Sequence, residues 1–147
     1  ADYLSLVEVL ALHAVLIDEF GGTDGVRDLG ALESAVFRPQ SGYYDDPIAE
    51  AAALVESLIQ KHAFLDGNKR VEVGAADVHL RLNGLELAGD SMLHHQFLIG
   101  LMEMGAVDWR SIDSWLRDNV EETHRMGREL MLPLTNEETE WLDADLE

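Results

Sequence analysis

Helix start and stop signals recur along this chain at spacings that fit one helix after another. Ser5 and Glu8 have the spacing of a capping box, and the apolar run that follows them ends at Gly21. Asp46 followed by Pro47 combines an N-cap with a proline at the first helical position. These signals predict helices over the following segments: 6–20, 29–37, 47–61, 68–82, from Asp90 or Ser91 to about 104, and from 109 past 119.

The helical pattern leaves little room for strands. We predict an all-α fold, a single-domain helical bundle with at most a small β-hairpin flap near 38–45 and a brief extended piece at 85–88. The chain has 147 residues and is 47% hydrophobic, which suffices for one compact core. We assign residues 1–134 to this domain and residues 135–147 to an acidic C-terminal tail.

The tail differs from the rest of the chain in its charge. It carries six acidic residues and no basic ones, and Pro133 marks its boundary. One interpretation is a solvated, partly frayed end. The alternative is an amphipathic docking segment whose apolar contacts are Trp141, Leu142 and Leu146. The tail could also act as a cover in cis.

Charge and composition exclude several functional classes. A net charge of −19 argues against direct binding of nucleic acid or an anionic membrane, since phosphate contacts need clusters of lysine and arginine. The absence of cysteine excludes disulfides, thiol nucleophiles and cysteine-ligated zinc. No stretch approaches the roughly 18 apolar residues of a membrane span. With no secretory signal at its start, the chain is expected to be cytoplasmic.

One segment, residues 61–70, breaks the acidic pattern. It holds three of the ten basic residues: Lys61, Lys69 and Arg70. Gly67 lies directly before a predicted helix start, where unpaired N–H groups and the positive end of the helix dipole form an anion site. Cations at that end oppose the dipole, so a need for positive charge explains Lys69 and Arg70 better than helix stability does.

Three further side chains of this segment suit phosphate chemistry. Asp66 would repel a phosphate unless a divalent cation intervened, which makes it a candidate Mg²⁺ ligand. His62 can take a proton from an attacking hydroxyl near neutral pH. Phe64 is interpreted as an apolar anchor of the loop. The plain alternative is a helix-capping loop with incidental charges.

These residues form a known pattern. The run His-Ala-Phe-Leu-Asp-Gly-Asn-Lys-Arg at 62–70 resembles the signature loop of the Fic/Doc family, His-x-Phe-x-(Asp/Glu)-(Gly/Ala)-Asn-(Gly/Lys)-Arg, and fills every fixed position. Residues 21–40 are similar to the N-terminal region of the death-on-curing (Doc) branch. The resemblance covers roughly residues 4–119 and implies a Fic/Doc-like helical bundle.

Two positions distinguish the branches of this family. Fic enzymes proper usually carry glycine at the position of Lys69 and a second arginine at the position of Val73, and they transfer AMP to a target hydroxyl. Doc-type toxins carry the lysine and lack that arginine. The resemblance therefore implies a toxin of a toxin-antitoxin system, a protein Ser/Thr kinase that transfers the γ-phosphoryl group of Mg-ATP. Protein adenylyltransferase activity is the alternative.

The resemblance also implies roles for the loop residues. His62 is the general base and Asp66 the Mg²⁺ ligand, while the nucleotide phosphates are bound by an anion hole and a clamp: Gly67, Asn68, Lys69 and Arg70. Residues 38–45 fall where the family places a target-docking flap, to which a target segment could add as a strand. The two tyrosines of that segment are equally well interpreted as surface aromatics.

Partners follow from the same resemblance. The target class is elongation factor Tu, whose phosphorylation stops translation, and the C-terminal segment of a cognate antitoxin is expected to hold the toxin inactive. A catalytically impaired module that only binds the antitoxin or target is a third hypothesis.

Glu72 is the residue that most threatens an active enzyme. Family members commonly have Thr-Ala where this chain has Val71-Glu72. Glu72 lies three residues after Lys69 and four after Asn68. It is therefore expected either to face outward in an ion pair with Lys69, or to project towards the anion site and modulate activity.

The remaining histidines are weaker candidates. His94 and His95 are adjacent and diverge on a helix, so they cannot jointly face one metal. His13, His79 and His124 lack ligand spacing and are predicted to be core-edge or surface residues.

Overall fold

A computed structural model describes residues 2–88, 96, 99–100, 103 and 108–122. Its helices are α1 (Leu6–Phe20), α2 (Leu29–Phe37), α3 (Pro47–Lys61), α4 (Asn68–Leu82) and α5 (Trp109–Asn119). Positions 96, 99–100 and 103 are also helical, within the helix predicted up to about 104. The rest of that helix, the tail at 135–147, the pair His94-His95 and His124 lie outside the described residues.

The helices begin where the capping signals predicted. Ser5 Oγ accepts the N–H of Glu8 at 3.2 Å, and the Glu8 carboxylate accepts the N–H of Ser5 at 3.0 Å, which completes the capping box. Side-chain caps also start α2, α3 and α5, from Asp28, Asp46 and Asp108. Each cap satisfies an N–H group that has no partner inside its helix.

The strand content lies at the far end of α4. The extended piece predicted at 85–88 is confirmed as β1 (Leu85–Leu87), which pairs antiparallel with β2 (Val120–Glu122). Because β2 starts at Val120, α5 ends at Asn119 and does not continue past it as predicted.

The small hairpin flap considered for residues 38–45 is not formed. Residues Arg38–Gln40 make one turn of 3₁₀ helix, and none of residues 41–45 belongs to a strand. Pro39, whose ring fixes φ and removes an N–H donor, continues the turn of α2 and cannot donate to a ladder. The all-α prediction is confirmed, with the minor β content elsewhere.

Helix α3 lies at the centre of the bundle and packs against α2, α4 and α5. Its run of alanines at 51–53 is fully buried, so the neighbouring helices can approach its backbone closely. Helix α1 packs against α4 beside Gly74, where an added Cβ would make ordinary van der Waals contact with the Leu12 side chain at 3.5 Å. This packing fixes the C-terminus of α3 and the N-terminus of α4, which the loop 62–67 connects.

The described helices have at most 15 residues, and none of them has the length and apolar character needed to cross a bilayer.

Candidate active site

The loop 62–67 and the first turn of α4 form an open cleft of about 290 Å³. Its walls hold all six of the predicted base, metal and nucleotide residues. The full lining is Gly21, His62, Leu65, Asp66, Gly67, Asn68, Lys69 and Arg70. The structure therefore brings the polar residues of the motif together, while Glu72, the possible modulator outside the motif, does not line the cleft.

His62 follows the last residue of α3 in a left-handed backbone conformation, φ 46° and ψ 54°. It is the one non-glycine residue of the described part of the chain with a positive φ. Such a conformation costs a side-chain-bearing residue about 1–2 kcal/mol, so the surrounding structure must hold it there. The turn directs the chain sharply from α3 into the loop, and the His62 imidazole lines the cleft.

Asn68 braces the loop from the first position of α4. Its side-chain oxygen accepts the N–H of Phe64 at 3.1 Å, and its side-chain nitrogen donates to the Phe64 carbonyl at 2.9 Å. The same nitrogen lies 3.3 Å from Nε2 of His62. The Asn68 side chain is thus engaged with protein groups, so its contribution to an anion hole would come from its backbone N–H.

The first turn of α4 presents backbone N–H groups to the cleft. Gly67 is its N-cap at φ 75°, and no described side chain caps this end. The first intrahelical bond runs from Val71 N–H to Gly67 O, so the N–H groups of residues 68–70 precede it. Gly67 differs from expectation because its N–H donates to Asp66 Oδ1 at 2.8 Å and is not directed at a ligand.

Asp66 is held by backbone donors on both carboxylate oxygens. Thr23 N–H donates to Oδ2 at 3.0 Å, and together with the Gly67 N–H it lowers the pKa of Asp66 below its usual value. The carboxylate is therefore anionic at neutral pH. At Gly22, with φ +119°, an added Cβ would lie only 2.8 Å from Oδ2, so glycine is required for this approach.

The ligands available here suit Mg²⁺ better than a metal ion whose whole coordination shell comes from protein side chains. In the described part of the chain no group of three or more His, Asp or Glu residues is placed to hold an ion. Mg²⁺ keeps several waters and is commonly bound through one or two carboxylates plus substrate phosphates. Asp66, exposed and ionised beside an anion site, offers one such carboxylate.

The two cations of the motif are held differently. The Arg70 guanidinium lies over the Phe20 ring at 4.6 Å from its centroid, which orients it beside the cleft. Lys69 pairs with Glu103 at 3.4 Å, both side chains being about half exposed. This pair is weak in water and leaves Lys69 able to exchange Glu103 for a phosphate.

Glu72 does not face outward, and that prediction is wrong. Its residue is only 4% exposed, its Oε2 has no hydrogen-bond partner, and Lys69 pairs with Glu103 instead. Burial raises the pKa of Glu72 to about 8, and the nearby positive charge of Lys69 opposes that rise only in part. Glu72 does not line the cleft, so it does not project into the anion site.

His13 was missed as a contributor to the site. His13 is 2% exposed, so it lies in the core and not at the core edge or the surface as predicted, and the same holds for His79 at 1%. The His13 ring stacks on Phe64 with 3.9 Å between centroids. Its Nε2 is hydrogen-bonded to the Asp66 carbonyl at 2.8 Å. Phe64 is itself 1% exposed, a burial compatible with the anchor role predicted for it. No local signal reveals this role of His13, because the site-loop residues it contacts, Phe64 and Asp66, lie more than 50 positions away.

The segment 38–45 is pinned to α3 and α5 by side chains. Arg38 pairs with Glu56 at 2.7 Å and donates to the Tyr44 hydroxyl at 2.8 Å. The Tyr44 ring packs edge-on against Trp109 with 5.1 Å between centroids. Tyr43 is 64% exposed, so the surface-aromatic interpretation holds for it but not for Tyr44.

Comparison with known proteins supports the motif. The model of the family described as the Fic/DOC family matches residues 3–80. The chain is 42% identical over 94 residues to the protein named Toxin Doc from Mycolicibacterium smegmatis, covering 60% of this chain and 70% of that relative. It is 30% identical over 89 residues to the protein named Protein kinase doc from Escherichia phage P1, covering 58% and 71% respectively. The matched family region contains every residue of the cleft.

Proposed function

Because the chain belongs to the Fic/DOC family, we propose that it is a Doc-type toxin that transfers the γ-phosphoryl group of Mg-ATP to a hydroxyl of a target protein. The observation that carries the proposal is the cleft itself, where His62 and the N-terminal turn of α4 line one opening. A base and an anion site must share such an opening for a hydroxyl to attack a bound phosphate.

The chemistry needs three contributions from this chain. The His62 imidazole takes the proton of the target hydroxyl as its oxygen bonds to the γ-phosphorus, and the bond from that phosphorus to the β,γ-bridging oxygen breaks to release ADP. The backbone N–H groups of residues 68–70 and the side chains of Lys69 and Arg70 bind phosphate oxygens. Asp66 would hold Mg²⁺, which when bound neutralises phosphate charge.

Phosphoryl transfer is favoured over AMP transfer by two residues. Lys69 supplies the cation that the Doc pattern carries at this position. Val73, at the position where the Fic pattern has a second arginine, is 2% exposed and offers nothing to a nucleotide. The relative from phage P1 is named a protein kinase, which agrees with this choice.

The position of the ³²P label in ATP distinguishes phosphoryl transfer from AMP transfer. The purified chain is incubated with a bacterial extract and ATP labelled with ³²P at either the γ or the α phosphate. The proposal expects protein labelling from γ-labelled ATP alone, reduced at least about a thousand-fold in His62→Ala. His62→Asn is the matched variant, because asparagine tolerates the left-handed backbone and removes the base. Labelling from α-labelled ATP alone would establish the adenylyltransferase alternative.

The same labelling experiment in a bacterial extract also tests the proposed acceptor protein and the proposed antitoxin. We propose elongation factor Tu as the acceptor, so the labelled band should be identified as that factor by mass spectrometry. We further propose a cognate antitoxin whose C-terminal segment suppresses labelling when it is added in equimolar amount.

A binding module without turnover is the remaining candidate. It would show no labelling from either nucleotide and normal binding of the antitoxin. Restoration of labelling in Glu72→Ala would identify Glu72 as the modulator. The position of Glu72 away from the cleft favours an active enzyme.

A further inference from the structure

The guanidinium of Arg27 caps the end of α3 next to the proposed base. Its Nε donates to the His62 carbonyl at 3.0 Å, and its Nη2 donates to the carbonyls of both His62 and Lys61, the latter at 3.2 Å. These carbonyls lie at a helix C-terminus, where acceptors lack partners inside the helix and a cation is favoured by the dipole.

The two carbonyls flank the Cα atom of His62. The Lys61 carbonyl belongs to the peptide plane before that atom, and its orientation changes with φ; the His62 carbonyl belongs to the plane after it, and its orientation changes with ψ. One rigid, planar group that binds both carbonyls therefore fixes both dihedral angles. His62 needs such a restraint, since its φ of 46° is disfavoured for a residue with a side chain.

The backbone of Arg27 is anchored independently of its side chain. Its N–H donates to the Ala63 carbonyl at 2.7 Å, and Asp28 N–H donates to the same carbonyl at 3.1 Å. Next to it, Val26 forms a bridge with Phe64. Removal of the guanidinium therefore leaves the α1–α2 loop attached to the loop 62–67. Arg27 does not line the cleft, so its guanidinium is placed to act on the site through the backbone of His62.

We propose that Arg27 is a positioning residue for the reaction: its guanidinium holds the backbone of His62 in the conformation that directs the imidazole into the cleft. The expected change in kcat rests on the proposed function, whereas the expected conformation of His62 does not. Arginine suits this role because Nε and Nη2 of one rigid plane bind the His62 carbonyl together while Nη2 also reaches the Lys61 carbonyl, whereas a lysine ammonium has no fixed plane to orient them. Nothing in the sequence motif indicates this role, since Arg27 lies 35 positions before His62.

The test combines kinetics with an observation of His62 that needs no turnover. Arg27→Met keeps the length of the side chain and removes its donors. We expect kcat for phosphoryl transfer to fall about 10- to 100-fold with the KM for ATP changed less than two-fold, because a misplaced base slows the chemical step without weakening nucleotide binding. Arg27→Lys should recover only part of the loss.

Arg117→Met is the matched control. Arg117 also bonds through its guanidinium to several acceptors, on Asp46 and Asp113, and it lies outside the cleft lining. Its loss removes a comparable set of bonds, so kcat should stay within two-fold of the wild-type value.

Nuclear magnetic resonance of the full, isotopically labelled chain supplies the second observation. The Cα and Cβ shifts of His62 should report positive φ in the wild type and in Arg117→Met, and should move towards averaged values in Arg27→Met. An unchanged His62 spectrum with kcat within two-fold would overturn the proposal. So would a changed spectrum with unchanged kcat, or a parallel loss of ATP affinity, which would indicate a general structural role.

The kinetic and the NMR measurements together keep this inference separate from the proposed function. If the wild type transfers no phosphoryl group, the kinase proposal fails, and the spectrum alone decides whether Arg27 holds His62. An unchanged spectrum in Arg27→Met then overturns the inference as well.

Discussion

The two loops that flank α3 are held in place by different kinds of contact. The loop after it, 62–67, is fixed through its own backbone: Asn68 binds both polar groups of Phe64, and Leu65 N–H donates to Gly25 O at 3.1 Å. The segment before it, 38–45, is fixed through side chains, chiefly the Arg38–Glu56 ion pair.

The difference matches what each loop is proposed to do. Backbone bonds fix the course of the chain to a fraction of an ångström, which a base and an anion site need. Side-chain contacts such as the Arg38–Glu56 pair and the Tyr44–Trp109 packing can rearrange through rotamer changes, which would suit the target-docking role that the sequence predicts for 38–45. The following tests probe this contrast, from the largest expected effect to the smallest.

The stability of the protein should depend on pH through Glu72, which lies in α4 next to the loop 62–67. Its pKa in the folded state is about 8, above the ordinary glutamate value of 4.5, so the folded state binds more protons than the unfolded state between these values. Stability should therefore fall as pH rises through that window, by at most about 4–5 kcal/mol, and level off above it.

Urea unfolding at pH 5, 7 and 9 measures this dependence. Glu72→Gln, which keeps the shape without the charge, should flatten the profile and exceed the wild type in stability at pH 9. An equal slope in both proteins would assign the dependence to other groups.

Asn68→Ala should damage the backbone-held loop most. It leaves the buried N–H and carbonyl of Phe64 without partners, and we expect a loss of about 2–4 kcal/mol in the free energy of unfolding. Transfer activity should fall by at least about a hundred-fold, as the loop no longer fixes His62.

Asn83→Ala is a suitable comparison, because Asn83 makes a similar bond to the His79 carbonyl at the other end of α4. It should lose stability and retain activity. Equal activity losses in both variants would contradict the local role of Asn68.

Arg38→Met tests the side-chain-held segment. It leaves the mostly buried Glu56 carboxylate without its cation, and we expect about 1–3 kcal/mol of destabilisation. A double-mutant cycle with Glu56→Gln should recover a coupling energy of about 1 kcal/mol or more. The dissociation constant of ATP, measured by calorimetry, should change less than two-fold; a large change would mean that this segment also shapes the cleft.

Gly22→Ala should have the smallest effect on stability and a selective effect on the site. An alanine there meets Asp66 Oδ2 at 2.8 Å, so the carboxylate must move. We expect about 1–2 kcal/mol of destabilisation and a several-fold higher Mg²⁺ concentration for half-maximal transfer. Gly84→Ala is the matched control: its φ is also positive, at +78°, but no atom lies within 4 Å of the added Cβ. An equal Mg²⁺ requirement in both variants would remove the argument for the Gly22 contact.

Features that depend on neighbouring residues were predictable from the sequence. The capping box at Ser5 and the proline-led start of α3 involve residues three or four positions apart, so the helix bounds follow from local rules. The residues of the cleft lie within one short segment, apart from Gly21, and were found for the same reason.

Features that depend on distant contacts were not predictable. Glu72 is buried because α4 is covered by helices distant in sequence, α1 and α3 among them, and its spacing from Lys69 does not indicate this. The pairing of β1 with β2 joins segments more than 30 positions apart. His13 and Arg27 contact the site loop only because α1 and the loop after it pack against it.

The contacts of the α1–α2 loop, residues 21–28, determine whether this loop can tolerate insertions. Most of residues 21–28 are exposed, and exposed loops normally accept insertions or peptide tags. Here, however, Thr23, Gly25 and Arg27 each bond to the site loop in fixed register. One residue inserted between Gly22 and Asp28 would move these donors and acceptors out of register with their partners. This surface loop should therefore tolerate insertions as poorly as the buried helices do.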